Sequence, residues 1–317
     1  MKNFRYSNSK QAIQPIIRKN ATPLSERMVS IIIINYNTFE LTCNCIKSII
    51  EKTAIPYEII LVDNASSECD ANIFKEKFPE ILLIRSSKNL GFAGGNNLGI
   101  RASTGKYVLL LNSDTVLINN AIDIAFERIQ KDAGIGALSC QLCSKDGSLQ
   151  AASNEFETIS KNVARALRLQ RFIPKYAFMQ LNLEEEHETE WIWGTFFLFP
   201  RTVLSIFPDC LLPADFFMYG EDKQWCYILR KHGYKIWYYP AAKIMHLIGA
   251  SSQDKAEAKV MKYFLPNEFA MYAKERGRFY ALSYFLSSSF YYFLSFKKST
   301  MKRGVQYLTN GFKLYFE

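Results

Sequence analysis

Asp63 and Asp114 each follow an apolar run, Glu58–Val62 and Tyr107–Leu111, and Asn35-Tyr36-Asn37 follows a third, Val29–Ile34. A carboxylate at the end of a strand accepts a nucleobase N–H or holds a divalent cation beside a diphosphate. The competing explanation is a turn or helix cap. Three polar strand ends in one half of the chain favour a nucleotide pocket. Gly91-Phe-Ala-Gly-Gly-Asn-Asn97-Leu-Gly99 is a glycine-rich turn into a helix, where backbone N–H groups can meet phosphate. Close packing of a helix on a sheet would explain its glycines but not Asn96 and Asn97. It is not the dinucleotide fingerprint, which would have to follow the first strand, where Asn35–Asn37 stand.

Glu221-Asp222 opens a predicted helix. Acidic residues there complement the macrodipole, or one of them serves as a general base, with Phe216–Tyr219 packed beneath. His246, one of three histidines, is expected just past a strand ending at Pro240 and is a candidate metal ligand. Cys140 and Cys143 form a lone CxxC with no second pair and no nearby histidine. Zinc sites need more ligands than that, so these thiols, like Cys43 and Cys45, are expected to be buried and structural.

The elements that must hold these residues alternate. Val29–Ile34 is a β-branched strand, Thr38–Lys52 has helical spacing, Glu58–Val62 returns to strand, and Leu82–Ile84 and Tyr107–Leu111 are two more strands. Helices are predicted over 94–103 and 120–131. Such alternation implies an α/β domain with a mainly parallel sheet, whose ligands bind outside the carboxyl ends of the strands. Further on, Trp191–Pro200 is strand-like with Gly194 in its middle, a helix runs to Arg230 with Gly233 as its left-handed cap, and Lys235–Pro240 is a short strand.

The 317 residues, 49% hydrophobic and 22% charged, are sufficient for a full core and exclude disordered and collagenous classes. The net charge of +9 suggests an anionic partner. From Ala273 onward eight Lys/Arg stand against Glu275 and Glu317, so most of that charge lies in the tail. Residues 1–27 are a polar lead-in without an apolar run or a small-residue cleavage site, and the seven cysteines lack framework spacing. Together they predict a cytoplasmic protein.

Taken in order, Val29–Asn37, Val62–Ser66, Asn89–Asn97, Leu110–Asp114, Trp193-Gly194, Phe217–Asp222 and His246 resemble family 2 glycosyltransferases, nearest to the bacterial rhamnosyltransferase-like branch. The resemblance covers about Met28 to Ser252. It implies a GT-A fold over 28–252, with a nucleotide-binding half to about 115 and an acceptor half beyond, and inverting transfer from a nucleotide-diphosphate sugar. Carried over, Asp222 is the catalytic base, and Asp114 and His246 bind Mg²⁺ or Mn²⁺. Asn35, Tyr36, Asn37, Asp63, Asn89, Gly91, Asn97, Asn112, Ser113, Trp193, Gly194 and Glu221 line the donor site. Asn112 replaces the first aspartate of the family's Asp-x-Asp, and the acidic position usual after Glu-Asp is lost in Glu221-Asp222-Lys223-Gln224-Trp225. The branch suggests dTDP-rhamnose as donor, with UDP-galactofuranose, UDP-glucose or another UDP-sugar as alternatives, and a glycan or lipid-linked acceptor in cell-surface polysaccharide synthesis.

A nucleotidyltransferase would show a basic glycine-rich loop after its first strand, and none is present. A nucleic-acid-binding module would use the basic tail, but no recognition motif is visible, so nucleic acid is not expected as a partner. Residues 253–317 are instead predicted to be helical and to meet an anionic membrane surface, on the inner face of the cell membrane, through 274–313. Phe279–Phe296 carries no charge, nine Phe or Tyr and five Ser, too polar for a confident span and suited to the interfacial zone. The competing reading is a helix packed on the catalytic domain or at a homodimer interface.

Overall fold

The computed structural model describes residues 29–173, 183–247, 256–294 and 298–317. The lead-in 1–27 and the expected domain boundary at 252 lie outside them, as do Ser295–Lys297 at the end of the aromatic stretch.

The first half follows the alternation closely. Strand β1 (Val29–Asn35) leads through α1 (Phe39–Lys52) to β2 (Tyr57–Asp63), and a short α2 (Asn72–Lys77) precedes β3 (Leu82–Arg85). Helix α3 (Gly91–Ala102) starts three residues earlier than predicted, so the glycine-rich turn is its first turn. It leads to β4 (Tyr107–Asn112), β5 (Thr115–Leu117) and α4 (Ala121–Gln130). Strand β6 (Ile135–Cys143) is buried along all nine residues. The small β7 (Leu149–Gln150) and β8 (Ser153–Asn154), α5 (Ile159–Ala166), β9 (His187–Thr189) and β10 (Trp191–Ile192) follow. The predicted strand 191–200 is therefore two strands, β10 and β11 (Phe196–Pro200), separated around Gly194. After α6 (Glu221–Lys231), β12 (Lys235–His246) runs for twelve residues, and α7 (Ala256–Arg276), α8 (Arg278–Phe293) and α9 (Lys298–Phe316) complete the described chain.

The strands form one sheet in the order β3-β2-β1-β4-β11-β6-β12-β5, with β7 on β6 and β9 on β12. Strands β1 to β4, β6 and β12 point the same way; β11, β5, β7 and β9 oppose them. Strand β12 does not stop at Pro240. Its pairing to β6 shifts register between Tyr239 and Lys243, and Pro240 sits inside that irregularity, where its missing N–H removes no ladder bond. The extension carries His246 to the last position of the strand, opposite Thr115 of β5.

Period-two alternation in β1 serves two cores. Ile31 and Ile33 face one, with α1 and α4; Ile32 faces the other, with α3, α6 and the C-terminal helices. Each fully buried isoleucine contributes about 1.5–3 kcal/mol. Helix α3 lies close on β1 because Gly99 has no side chain: a Cβ there would come within 2.4 Å of Ile32 Cγ2. Leu265, Phe269, Tyr272, Tyr284, Phe285 and Tyr307 belong to the second core. The C-terminal region is thus packed into the second core of the α/β body rather than appended to it. Its serines are packing groups: Asn162 Nδ2 donates to Ser287 Oγ (3.1 Å) and Ser288 Oγ (2.8 Å), and Ser289 Oγ donates to the Gly304 carbonyl (2.9 Å). Cys43, Cys45, Cys140 and Cys143 are buried free thiols, as expected.

Candidate active site

At the ends of β1 and β2, Asn35 and Asp63 are direct register partners. Asn35 Nδ2 donates to Asp63 Oδ1 (2.9 Å) and Ser66 Oγ (2.9 Å), while the Ser66 N–H donates to Asp63 Oδ2 (3.3 Å). Asn35 Oδ1 in turn accepts from Thr38 (3.1 Å) and Thr42 (2.9 Å). Each Asp63 oxygen carries one internal bond and keeps acceptor capacity. Asn37 adopts a positive φ of 54°, and its Oδ1 accepts the N–H groups of Ser67 and Glu68, which fixes the 66–68 turn over the pocket. Tyr36 is exposed beside it.

The rim continues without a break. Thr38 Oγ1 lies 3.1 Å from Ser113 Oγ, bringing the Asn112-Ser113-Asp114 turn beside the β1 end. Asp114 Oδ1 faces His246 Nε2 at 3.6 Å. The second ring nitrogen, Nδ1, is 3.0 Å from Gln150 Oε1, and Gln150 Nε2 donates to the His246 carbonyl (3.0 Å) and Ser144 Oγ (2.9 Å). Gln150 therefore presents an acceptor, Nδ1 carries the proton, and the Nε2 lone pair points at the aspartate. Burial pushes the Asp114 carboxyl up, against the pull of His246, and pushes the His246 imidazole down, against the pull of Asp114. Among the described residues no group of three or more His, Cys, Asp or Glu could hold a metal ion.

A backbone step links this rim to the acidic pair. The Asn112 N–H donates to the Thr195 carbonyl (3.0 Å), and the neighbouring Gly194 N–H donates to Asp222 Oδ2 (2.9 Å). The Lys223 N–H donates to Asp222 Oδ1 (2.8 Å). Burial raises the Asp222 carboxyl, while these two N–H groups and the Lys223 charge pull it down. Glu221 is 5% exposed, its Oε2 has no hydrogen-bond partner, and burial followed by the Asp222 charge pushes its pKa up to about 8. Of the residues expected beneath this pair only Phe216 is buried; Phe217 and Met218 are exposed. Trp193 is half-buried against the first core, and its backbone N–H donates to the Ala152 carbonyl (3.1 Å).

The α3 residues have structural partners. Asn64 Nδ2 donates to Asn89 Oδ1 and the Gly91 carbonyl, and Asn64 Oδ1 accepts the Leu90 N–H. Gly91 has φ +73°, and a Cβ on it would meet the Phe217 carbonyl at 2.0 Å, so this glycine serves the docking of the α3 start onto the 217 loop. The Asn97 amide brackets Leu212, accepting its N–H (3.1 Å) and donating to its carbonyl (2.8 Å), and Asn96 Nδ2 donates to the Phe92 carbonyl. The two amides that helix packing left unexplained thus brace the backbone. Sequence reasoning missed Thr38, Ser66 and Gln150. Ser66 closes the segment Val62–Ser66, but Gln150 meets a residue 96 positions away and carries no local signal.

Residues 30–207 match the family model described as Glycosyl transferase family 2. The chain is 28% identical over 114 residues to Glycosyltransferase GlyG of Streptococcus pneumoniae, covering 34% of this chain and 37% of that protein. It is 24% identical over 211 residues to the N-acetylglucosaminyl-diphospho-decaprenol L-rhamnosyltransferase of Mycobacterium tuberculosis, covering 61% of this chain and 67% of the relative. The first of these matches spans little more than a third of the relative's own length. Among solved structures, mannosyltransferase PcManGT from Pyrobaculum calidifontis, in complex with GDP-Man and Mn²⁺, superposes with a TM-score of 0.56 at 15% identity, covering 94% of this chain and 90% of that one. GalNAc-T7 with UDP, GalNAc and Mn²⁺ gives 0.54 at 16% identity, covering 81% and 52%. At these identities the likeness is one of fold, the GT-A arrangement.

Proposed function

Because this chain belongs to glycosyl transferase family 2 and is a glycosyltransferase, we propose that it transfers a sugar from a pyrimidine-nucleotide-diphosphate donor, with inversion, to a glycan or lipid-linked acceptor. The continuous rim from Asp63 through Asn35, Thr38 and Ser113 to Asp114 and His246, joined by Gly194 to Asp222, carries this reading. Asp63 accepts the ring N–H of uracil or thymine at the end of β2. The diphosphate lies toward Asp114. Asp222 takes the proton from the acceptor hydroxyl, whose oxygen bonds to C1 of the sugar as the C1–O bond to the nucleoside diphosphate breaks. A carboxyl raised by burial is a better base for that proton than an exposed one.

The Asp114–His246 pair fits a divalent cation. The Nε2 lone pair and the Asp114 carboxylate converge at 3.6 Å, both of them metal-ligating groups, and the tautomer set by Gln150 is the one a ligating imidazole needs. Asp114 and His246 would hold Mg²⁺ or Mn²⁺, which would supply positive charge against the leaving diphosphate. Asn112, in place of an acidic residue, offers an amide to ribose or sugar.

For the donor sugar, likeness to the mycobacterial rhamnosyltransferase favours dTDP-rhamnose, and UDP-sugars are the alternative. Among the described residues no helix is long and apolar enough to cross a membrane. We place the protein peripherally on an anionic membrane surface. In α9, exposed Met301, Val305, Phe312 and Phe316 fall within one helical face, beside exposed Lys302 and Lys313.

The test is a panel of dTDP-, UDP- and GDP-sugars with Mn²⁺, followed by thermal stabilisation and slow donor hydrolysis. Stabilisation by dTDP or UDP compounds and hydrolysis of dTDP-rhamnose are expected. Equal response to GDP compounds would overturn the base assignment, and hydrolysis of a UDP-sugar alone would overturn rhamnose.

A further inference from the structure

Consecutive residues of α7 hold the backbone on both sides of the acidic pair. Asn267 Nδ2 donates to the Met218 carbonyl (2.9 Å) and the Tyr219 carbonyl (2.7 Å), three and two residues before Glu221. Glu268 Oε1 accepts from Lys223 Nζ (2.6 Å), immediately after Asp222. Both side chains of that ion pair are buried, at 6% and 3% exposure. Isolated buried charges are costly, so this pair persists only with its remaining valences met. They are met on both sides. Tyr284 of α8 and Tyr307 of α9 donate to Glu268 (3.2 and 3.1 Å), and Phe156, Trp191, Phe264 and Tyr272 surround the ammonium with ring faces at 5.7–5.9 Å. The segment so held is strained: Tyr219 has φ +69°, a left-handed conformation rarely kept by a bulky side chain unless its surroundings impose it. Asn267, on the two carbonyls flanking that residue, supplies the imposition.

We propose that Asn267 and Glu268 are positioning residues for the transfer reaction, fixing the Tyr219–Lys223 turn so that Asp222 meets the acceptor hydroxyl, and that the three C-terminal helices are therefore part of the catalytic apparatus. This rests on Asp222 being the base. The Lys223 side chain thereby ties the start of α6 to α7.

The experiment uses the full chain with Asn267→Ala, Glu268→Gln and, in parallel, Asp222→Asn. Asn267 is half-buried and outside the apolar core, so its variant keeps the fold even if Glu268→Gln does not. The readouts are kcat, donor KM, calorimetric binding of UDP and dTDP with Mn²⁺, and melting temperature. A displacement of about 1 Å at a reacting group costs up to about 10²-fold in rate. The expected result for Asn267→Ala is a fall in kcat of tenfold or more, with donor KM and nucleotide binding within twofold of wild type. Wild-type kcat in Asn267→Ala, or a fall in kcat matched by equal loss of nucleotide binding, would overturn the proposal. Should Asp222→Asn keep wild-type kcat, the base assignment fails by itself, whatever Asn267→Ala does.

Discussion

His246 Nε2 and Asp114 Oδ1 face each other at 3.6 Å across the last residue of β12 and the turn before β5, and the other imidazole nitrogen is occupied by Gln150. The orientation of the histidine is thus set by a residue that touches neither substrate nor aspartate. Outer-shell partners of this kind typically contribute 10–100-fold to metal affinity. Gln150→Leu should weaken Mn²⁺ binding by about that factor in titrations with UDP present, and His246→Ala should abolish it. Unchanged Mn²⁺ affinity in Gln150→Leu would mean that Gln150 only packs.

Asp222→Asn should lower kcat by about 10²- to 10⁴-fold, the usual contribution of a general base. The amide keeps an acceptor for one backbone N–H and loses the other, while the Asp63 pocket is untouched. UDP and dTDP binding should stay near wild type. A variant retaining more than a tenth of wild-type kcat would move the base to Glu221.

Glu221 makes folding stability depend on pH. In the native state it holds its proton to about pH 8, whereas the unfolded carboxyl ionises near 4.5, because burial and the adjacent Asp222 disfavour the charge. The native state binds the extra proton between these values. The stabilisation is therefore complete below pH 4.5 and is lost as pH rises through about 8, by an order of a few kcal/mol. Glu221→Gln, which resembles the protonated form, should flatten urea-unfolding stability between pH 5 and 8. A slope identical to wild type would refute the assignment.

The exposed face of α9 should bind vesicles rich in anionic lipid, through apolar insertion and roughly 1 kcal/mol per nearby cation. Phe312→Ser with Phe316→Ser should reduce co-sedimentation at low salt without changing donor hydrolysis. Failure of the wild-type chain to sediment, or a dimer in solution dispersed by the same two substitutions, would assign this face to a second copy instead.

The nucleotide half was legible because its information is local. A β-branched run followed by Asn35-Tyr36-Asn37, or by Asp63, states both strand and strand end. Strand β6 was not legible, since its alternation of Ala137, Ser139 and Gln141 with Leu138, Cys140 and Leu142 reads as neither an apolar run nor a half-exposed strand, though every residue is buried. Strand β12 was cut short at Pro240 because a register shift that tolerates proline is a property of the pair. The aromatic rings and flanking cations of Phe279–Phe296 suit an interfacial zone, whereas the packing of its serines does not show in a linear pattern: two of their partners, Asn162 and Gly304, are 126 and 15 positions away. The tyrosine hydroxyls likewise find Glu268, which a linear pattern cannot reveal.

The second core also imposes an order of events at the ribosome. The sheet is complete once β12 has emerged at His246, yet Ile32, Ile60, Phe197 and Trp225 share their cover with Leu265, Phe269, Tyr284 and Tyr307. About 60 more residues must be made before that cover exists, roughly 3–12 s at typical elongation rates. For that interval the nascent chain carries a nearly finished sheet with an uncovered apolar flank, and the 218–223 turn lacks its α7 partners, Asn267 and Glu268.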